Sequence, residues 1–137
     1  QLIARLLRSK ADSIGNADGI KAKLIFAGDF NAVPDDRTIM YLSGDYKSGL
    51  AMRNLSGSLP ESTGTYRYQG TWEMIDQVMV SQGVSAVLEI FSPDFLLMDD
   101  PVYPGRSPFS TYRGYRYQGG CSDHLPLVLT LYPRHSY

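Results

Sequence analysis

Leu2, Ile3, Leu6 and Leu7 fall at the i, i+1, i+4, i+5 spacing of one helical face, with Arg5, Arg8 and Lys10 turned elsewhere. This spacing predicts a helix that fades between Ser13 and Gly19. Leu24-Ile25-Phe26-Ala27 is a short apolar run between lysines and Gly28, a length that suits a buried strand with Asp29 at its C-terminal end. Pro34-Asp35-Asp36-Arg37 marks a turn, and Asp36 is placed to cap a short helix through Thr38, Ile39, Met40, Tyr41 and Leu42. Gly, Ser and Asn accumulate from Ser43 to Ser62, which predicts a loop anchored by Leu50, Met52 and Leu55. Thr65-Tyr66-Arg67-Tyr68 and Met74-Ile75-Asp76-Gln77-Val78-Met79-Val80 read as strands around a Gly70-Thr71 turn, and Ala86-Val87-Leu88-Glu89-Ile90-Phe91 as another. The proline-punctuated stretch from Ser92 to Gly120 reads as irregular. Leu125, Leu127, Leu129 and Leu131 then alternate with His124, Pro126, Val128 and Thr130, which predicts a last strand with one leucine face. Pro126 confines it to a strand's start or to an edge.

Composition narrows the class without naming a chemistry. Of 137 residues, 43% are apolar and 20% charged, enough for one domain with a useful core. Thirteen Lys and Arg against fourteen Asp and Glu leave a net charge of −1, which disfavours a dedicated, high-affinity DNA binder. Cys121 is the one cysteine, so no intrachain disulfide forms, and no Cys/His cluster has the spacing of a structural zinc site. No apolar run approaches the ~20 residues that a membrane-spanning helix requires. The first helical pattern opens at Gln1 with no Ser, Thr, Asp or Asn ahead of it as a cap. That is expected of a chain cut from something longer, and equally of a processed or engineered terminus on a complete domain.

Chemistry concentrates where apolar runs end or begin. Gly28-Asp29-Phe30-Asn31 follows one predicted strand and Ser122-Asp123-His124 precedes another; together they hold two carboxylates, a carboxamide and one of the two histidines. Such a set suits phosphoester hydrolysis, which requires neutralising a crowded anion, holding a water in line and stabilising the leaving charge. Asp29 and Asn31 are two apart, so in extended chain they share a face, Asp29 to orient or deprotonate water and Asn31 to donate to a phosphate oxygen. Taken alone, this tetrapeptide reads better as a polar turn. Asp123 and His124 are neighbours whose side chains diverge if extended, so the histidine needs another acid. Asp76 is the candidate, because its strand is otherwise apolar and a lone buried carboxylate is costly without a partner. A carboxylate on one imidazole nitrogen fixes the tautomer and favours the cation, which His124 would present to a phosphoryl oxygen. Considered singly, His124 reads as readily as a structural histidine at a strand end.

Tyr-Arg-Tyr-Gln-Gly occurs at 66–70 and again at 115–119, and each copy leads towards an aspartate of this set, Asp76 or Asp123. The flanks differ, so it is not an internal repeat. Alternating Tyr and Arg would stack on or pair with an anionic ligand, although an ordinary half-exposed strand explains the pattern better. Arg106, Arg113 and Arg116 form a locally basic stretch that fits a phosphate or headgroup less well than it fits a solvated loop. Cys121 has no separate base and reads as a packing residue.

Ile25-Phe26-Ala27-Gly28-Asp29-Phe30-Asn31, then Trp72-Glu73-Met74-Ile75-Asp76-Gln77-Val78-Met79-Val80-Ser81, then Gly119-Gly120-Cys121-Ser122-Asp123-His124-Leu125-Pro126-Leu127 resemble, in order and context, the three C-terminal motifs of the endonuclease/exonuclease/phosphatase superfamily. The resemblance covers nearly the whole chain. It implies an α/β fold, here half of a four-layered α/β sandwich with a mixed, mainly antiparallel β-sheet and flanking helices, and a phosphoesterase dependent on Mg²⁺ or Mn²⁺. It also implies roles: Asp29 activates water, Asn31 contacts phosphate, Asp76 bonds the catalytic histidine, His124 stabilises the pentavalent transition state, and Asp123, with Asp29, helps hold metal or water. Gln77 departs from the aromatic residue that many members carry after the motif aspartate.

Members also carry an Asn, a metal-binding Glu and a further His upstream of these motifs, whereas Gln1 to Ala27 contains no Glu and no His. The expectation is therefore that residues 1–137 are the C-terminal portion of a single such domain. An uncovered sheet face would then await the N-terminal half or a dimer partner. For the parent protein this implies a phosphodiesterase, nuclease or phosphatase; for the isolated chain, an inactive fragment or a non-catalytic binding module. A glycosidase built on paired carboxylates explains neither His124 nor Asn31. The substrate stays open among small, lipid-like and nucleic-acid phosphoesters, with near-neutral charge leaning away from duplex DNA.

Overall fold

A computed structural model describes residues 2–15, 23–43 and 51–132; Gln1 and the expected loop anchor Leu50 lie outside the described residues. The predicted first helix is α1 (Leu2–Gly15), but its buried stripe is rotated from the one its leucines suggest. Leu2 and Leu6 are exposed, while Arg8 and Ala11 are buried and Leu7 packs against the core. Arg8 Nη1 donates to the Leu42 carbonyl at 3.2 Å, at the end of α2 (Arg37–Ser43), and Nε lies 3.4 Å from Asp12 one turn along. The guanidinium thus meets a C-terminal carbonyl of the second helix, and α1 turns to present it. At the other end of α2, Asp36 Oδ1 accepts the Thr38 backbone N–H at 2.7 Å, the cap that the sequence predicts.

β1 (Ile25–Asp29) and β2 (Met52–Asn54) both pair antiparallel with the central strand β5 (Asp76–Ser81). Because β5 is covered on both faces, it reads as a nearly continuous apolar run. Met79 points with Met52 into a cluster containing Ile39 and Leu42, joined by Leu7, Leu24, Phe26 and Phe30. Val78 and Val80 point the other way, against Leu55 and against Leu88, Leu127 and Leu129. Leu88 belongs to β6 (Ser85–Ile90), which pairs antiparallel with β11 (Leu127–Tyr132) in the register Leu129↔Leu88. The last strand begins one residue after Pro126, whose carbonyl accepts the Phe91 N–H at 2.8 Å.

Three hairpins complete the chain. β3 (Tyr66–Tyr68) and β4 (Thr71–Glu73) are joined by Gln69 and Gly70, both at positive φ (46° and 85°), so the turn lies one residue earlier than the sequence suggests. Two central residues at positive φ match the twist of paired strands, which favours this turn in a two-residue hairpin. The stretch expected to be irregular instead contains β7 (Leu97–Asp99) paired with β8 (Arg106–Pro108), and β9 (Tyr112–Arg113) paired with β10 (Arg116–Tyr117). Its prolines occupy strand ends and loops, where no ladder hydrogen bond is lost.

The strands thus form one three-stranded sheet and four two-stranded ladders, every one antiparallel among the described residues, rather than the single bare-faced sheet expected. The Val78/Val80 face is covered. Exposed apolar side chains lie instead on Ile25, Val87, Val128 and Leu131.

Candidate active site

The register of β1 on β5 sets Asp29 directly opposite Asp76. Directly opposed residues on antiparallel strands project to the same side, so the ladder ends in two carboxylates on one face. The chain then leaves β1 through Phe30, whose N–H donates to the Ile75 carbonyl at 3.1 Å and whose ring packs against the helices.

Asn31 does not continue the strand. Its φ is +48°, in the left-handed region that asparagine tolerates better than most residues. Its backbone N–H donates to Asp29 Oδ1 at 2.8 Å, and its carboxamide nitrogen lies 3.5 Å from Oδ2. The expected extended alternation is absent, yet the two side chains still meet, because the chain closes into an Asx turn.

Asp76 has different company. Its Oδ2 lies 2.7 Å from His124 Nδ1 and also accepts the hydroxyl of Thr65, which is fully buried. A carboxylate only accepts, so Nδ1 carries the proton on this side and Nε2 is left for a ligand. The pair is partly open to solvent, the side chains being 24% exposed for His124 and 20% for Asp76. The histidine is delivered by a single antiparallel bridge, Tyr66↔His124, beside the Leu125 N–H bond to the Thr65 carbonyl at 2.7 Å. The Tyr66 ring packs on the imidazole at 5.0 Å between centroids, and Ser122 Oγ accepts the His124 N–H at 3.0 Å. Thr65 and Tyr66 were not singled out as site residues by the sequence; the signal available was Thr65's place on the strand leading into the first pentapeptide.

Asp123 is exposed and lines a neighbouring cleft shared with Tyr66 and Arg113. His124 and Asp76 border a separate groove with Ala27 and Gly28. The structure thus gathers Asp29, Asp76 and His124 around one strand end, with Asn31 on Asp29 and Asp123 adjacent.

Gln77 and Arg67 are committed to the fold. Gln77, in place of the aromatic residue, is fully buried: its amide nitrogen donates to the carbonyls of Ala32 at 2.8 Å and Met74 at 2.7 Å, and its oxygen accepts from Asn54 at 2.9 Å. Arg67 spends its guanidinium on the carbonyls of Gly70, Pro104 and Arg106. Arg106 pairs with Asp94 at 2.6 Å and Arg113 lies 3.7 Å from Asp100, whereas Cys121, expected to pack, is exposed.

Asp29, Asn31 and Asp123 offer the hard oxygen donors that Mg²⁺ or Mn²⁺ takes. No group of three or more His, Cys, Asp or Glu able to hold a metal occurs among the described residues. These residues do not build a metal site on their own.

A search of curated protein sequences finds no match. Among solved structures, the chain is similar to a mannosyl-6-phosphatase of Bacteroides thetaiotaomicron VPI-5482, with a TM-score of 0.56 at 17% identity. The match covers 94% of this chain and 44% of that one, so the chain spans less than half the length of its structural neighbour. At that identity the likeness speaks for fold, which here is α/β with antiparallel sheets and few helices. The sequence itself matches the family model for the endonuclease/exonuclease/phosphatase family over residues 1–132, and with the strand-end acids and histidine in place, the chain belongs to that family.

Proposed function

We propose that the parent protein is a phosphoester hydrolase and that residues 1–137 form the C-terminal portion of its catalytic domain. The observation that carries this reading is the division of labour at one strand end. Asp76 is committed to His124, while Asp29 opposite it is engaged, among the described residues, only by Asn31 two positions on. In this reading Asp29 orients the attacking water and takes its proton as the water oxygen bonds to phosphorus. Asn31 turns its carboxamide to a phosphoryl oxygen, and His124 Nε2 stabilises charge on the phosphoryl group while the bond to the alcohol oxygen breaks, the alkoxide leaving with the bonding pair and taking a proton from solvent. Asp76 keeps the imidazole oriented.

The remaining part of the domain completes a four-layered sandwich and covers Ile25, Val87, Val128 and Leu131, all exposed in the described chain. A dimer partner is the alternative cover. Asp123 and Asp29 are the residues of this chain that would help hold the Mg²⁺ or Mn²⁺ implied by the family, which would supply charge neutralisation for the phosphoryl group. The isolated chain is then an inactive fragment or a binding module.

Hydrolysis of 4-nitrophenyl phosphate and its bis-ester by the full-length protein with Mg²⁺ tests the proposal. Activity is expected in the wild type and, lowered by orders of magnitude, in His124→Ala; undiminished turnover in that variant would falsify the assignment. Calorimetric titration of residues 1–137 with Mg²⁺ should give millimolar or absent binding, and tight binding with turnover would remove the claim of an inactive fragment.

A further inference from the structure

The hydrolase reading leaves the organic part of the substrate unassigned. Beside the histidine lies a cleft of about 280 Å³, walled by β3 and by the β7–β8 and β9–β10 hairpins. It reaches the reaction centre at two points: Tyr66, whose ring rests on His124, and Asp123, the residue before it.

The cleft's lining is dense in fixed donors and acceptors. Asp100 Oδ1 accepts the backbone N–H groups of Val102 at 2.9 Å and Tyr103 at 3.1 Å, and Arg113 Nη2 lies 3.7 Å away. Those backbone bonds hold the Asp100 carboxyl below the ordinary aspartate range, so it stays ionised and anchors Arg113, whose side chain is 48% exposed. Ser110 and Gln118 add a hydroxyl and a carboxamide, and Tyr112, 60% exposed, meets Tyr117 edge-on at 5.5 Å.

The charges cancel, Arg67 and Arg113 against Asp100 and Asp123. A polyanionic chain gains no electrostatic attraction from such a cleft, and a hydrocarbon chain would desolvate its polar groups without pairing them. A compact ring bearing several hydroxyls avoids both costs, since each hydroxyl donates to a carboxylate and accepts from a guanidinium or amide. Its C–H face packs on an open tyrosine ring.

We propose that this cleft is the subsite for the alcohol portion of the phosphoester, and that this portion is a polyhydroxylated, sugar-like ring. The proposal rests on the hydrolase reading for the identity of the reaction, but binding tests it separately. Full-length protein in EDTA, where turnover is suppressed, is titrated calorimetrically with glucose 6-phosphate, butyl phosphate and adenosine 5′-monophosphate. Glucose 6-phosphate should bind at least tenfold more tightly than butyl phosphate, and Gln118→Ala and Tyr112→Ala should each remove most of that advantage. Equal affinities, tightest binding of the nucleotide, or an advantage that survives both substitutions overturns the subsite. With Mg²⁺ present, the same two variants should lower the kcat/KM ratio of glucose 6-phosphate to 4-nitrophenyl phosphate about tenfold, and an unchanged ratio overturns it too. Failure of the wild type to turn over any phosphoester refutes the hydrolase reading instead, and the binding series still decides the subsite.

Discussion

Asp29 and Asp76 face each other across one ladder, yet the chain answers them from very different distances. Asp29 is met by Asn31, two residues on, through an Asx turn at the surface. Asp76 is met by Thr65 and His124, 11 and 48 residues away, in a half-buried setting. Like charges directly opposed on a sheet repel, and here the repulsion is offset because two donors converge on one oxygen of Asp76. A partner from the next turn leaves Asp29 free to exchange it for a ligand. Partners fixed by tertiary structure commit Asp76 to orienting another group.

Substitutions separate the two acids, taken in order of effect. His124→Ala in the full-length protein should lower kcat by at least about a hundredfold with circular dichroism unchanged, since in the proposed mechanism it removes the group that meets the phosphoryl charge. Asp29→Asn should cost about a hundredfold by itself, and should cost further activity when added to His124→Ala. Asp76→Asn is expected to cost about ten- to hundredfold alone, as for residues that orient a reacting group, and nearly nothing on the His124→Ala background. Additive kinetics for Asp76 and His124 would erase the distinction between the acids. Thr65→Val should lower kcat only several-fold and stability by about 1 kcal/mol, read by thermal unfolding, as one hydrogen bond is lost. The smallest effect concerns Asp100. Its folded pKa is depressed by the Val102 and Tyr103 N–H groups, so its contribution is complete above the ordinary carboxylate value of about 3.9 and is lost as pH falls through the lower folded value. Amide exchange at Val102 and Tyr103, corrected for intrinsic rates, should show that loss at acid pH in the wild type and a flat profile in Asp100→Asn.

Much of this site is legible in the sequence because its parts stand at the ends of regular elements. Short apolar runs locate β1 and β5, alternation locates β11, and the lone aspartate of β5 calls for a partner, which His124 provides. The Asn31 conformation is not legible, since asparagine accepts both extended and left-handed backbone and only the local hydrogen bond decides. Nor is the orientation of α1, where burying an arginine on a carbonyl overrides a leucine stripe. The two copies of Tyr-Arg-Tyr-Gln-Gly show the limit most directly. In the first, Tyr66–Tyr68 is a strand and Gln69-Gly70 its turn; in the second, Tyr115 sits in the turn and only Arg116–Tyr117 pairs. Identical residues take different shapes because Arg67 finds three carbonyls to hold, whereas the second copy lies on an exposed hairpin.

That second hairpin is pinched at its base. Gly120 N–H donates to the Ser110 carbonyl at 3.2 Å and Cys121 N–H to the Phe109 carbonyl at 2.9 Å, and a Cβ at Gly120 would lie 2.0 Å from the Phe109 oxygen. The neck therefore excludes any side chain at 120, while beyond it the excursion touches solvent on most of its residues. The hairpin at residues 111–119 is thereby insulated, because the neck alone fixes the point at which the chain re-enters to deliver Asp123 and His124.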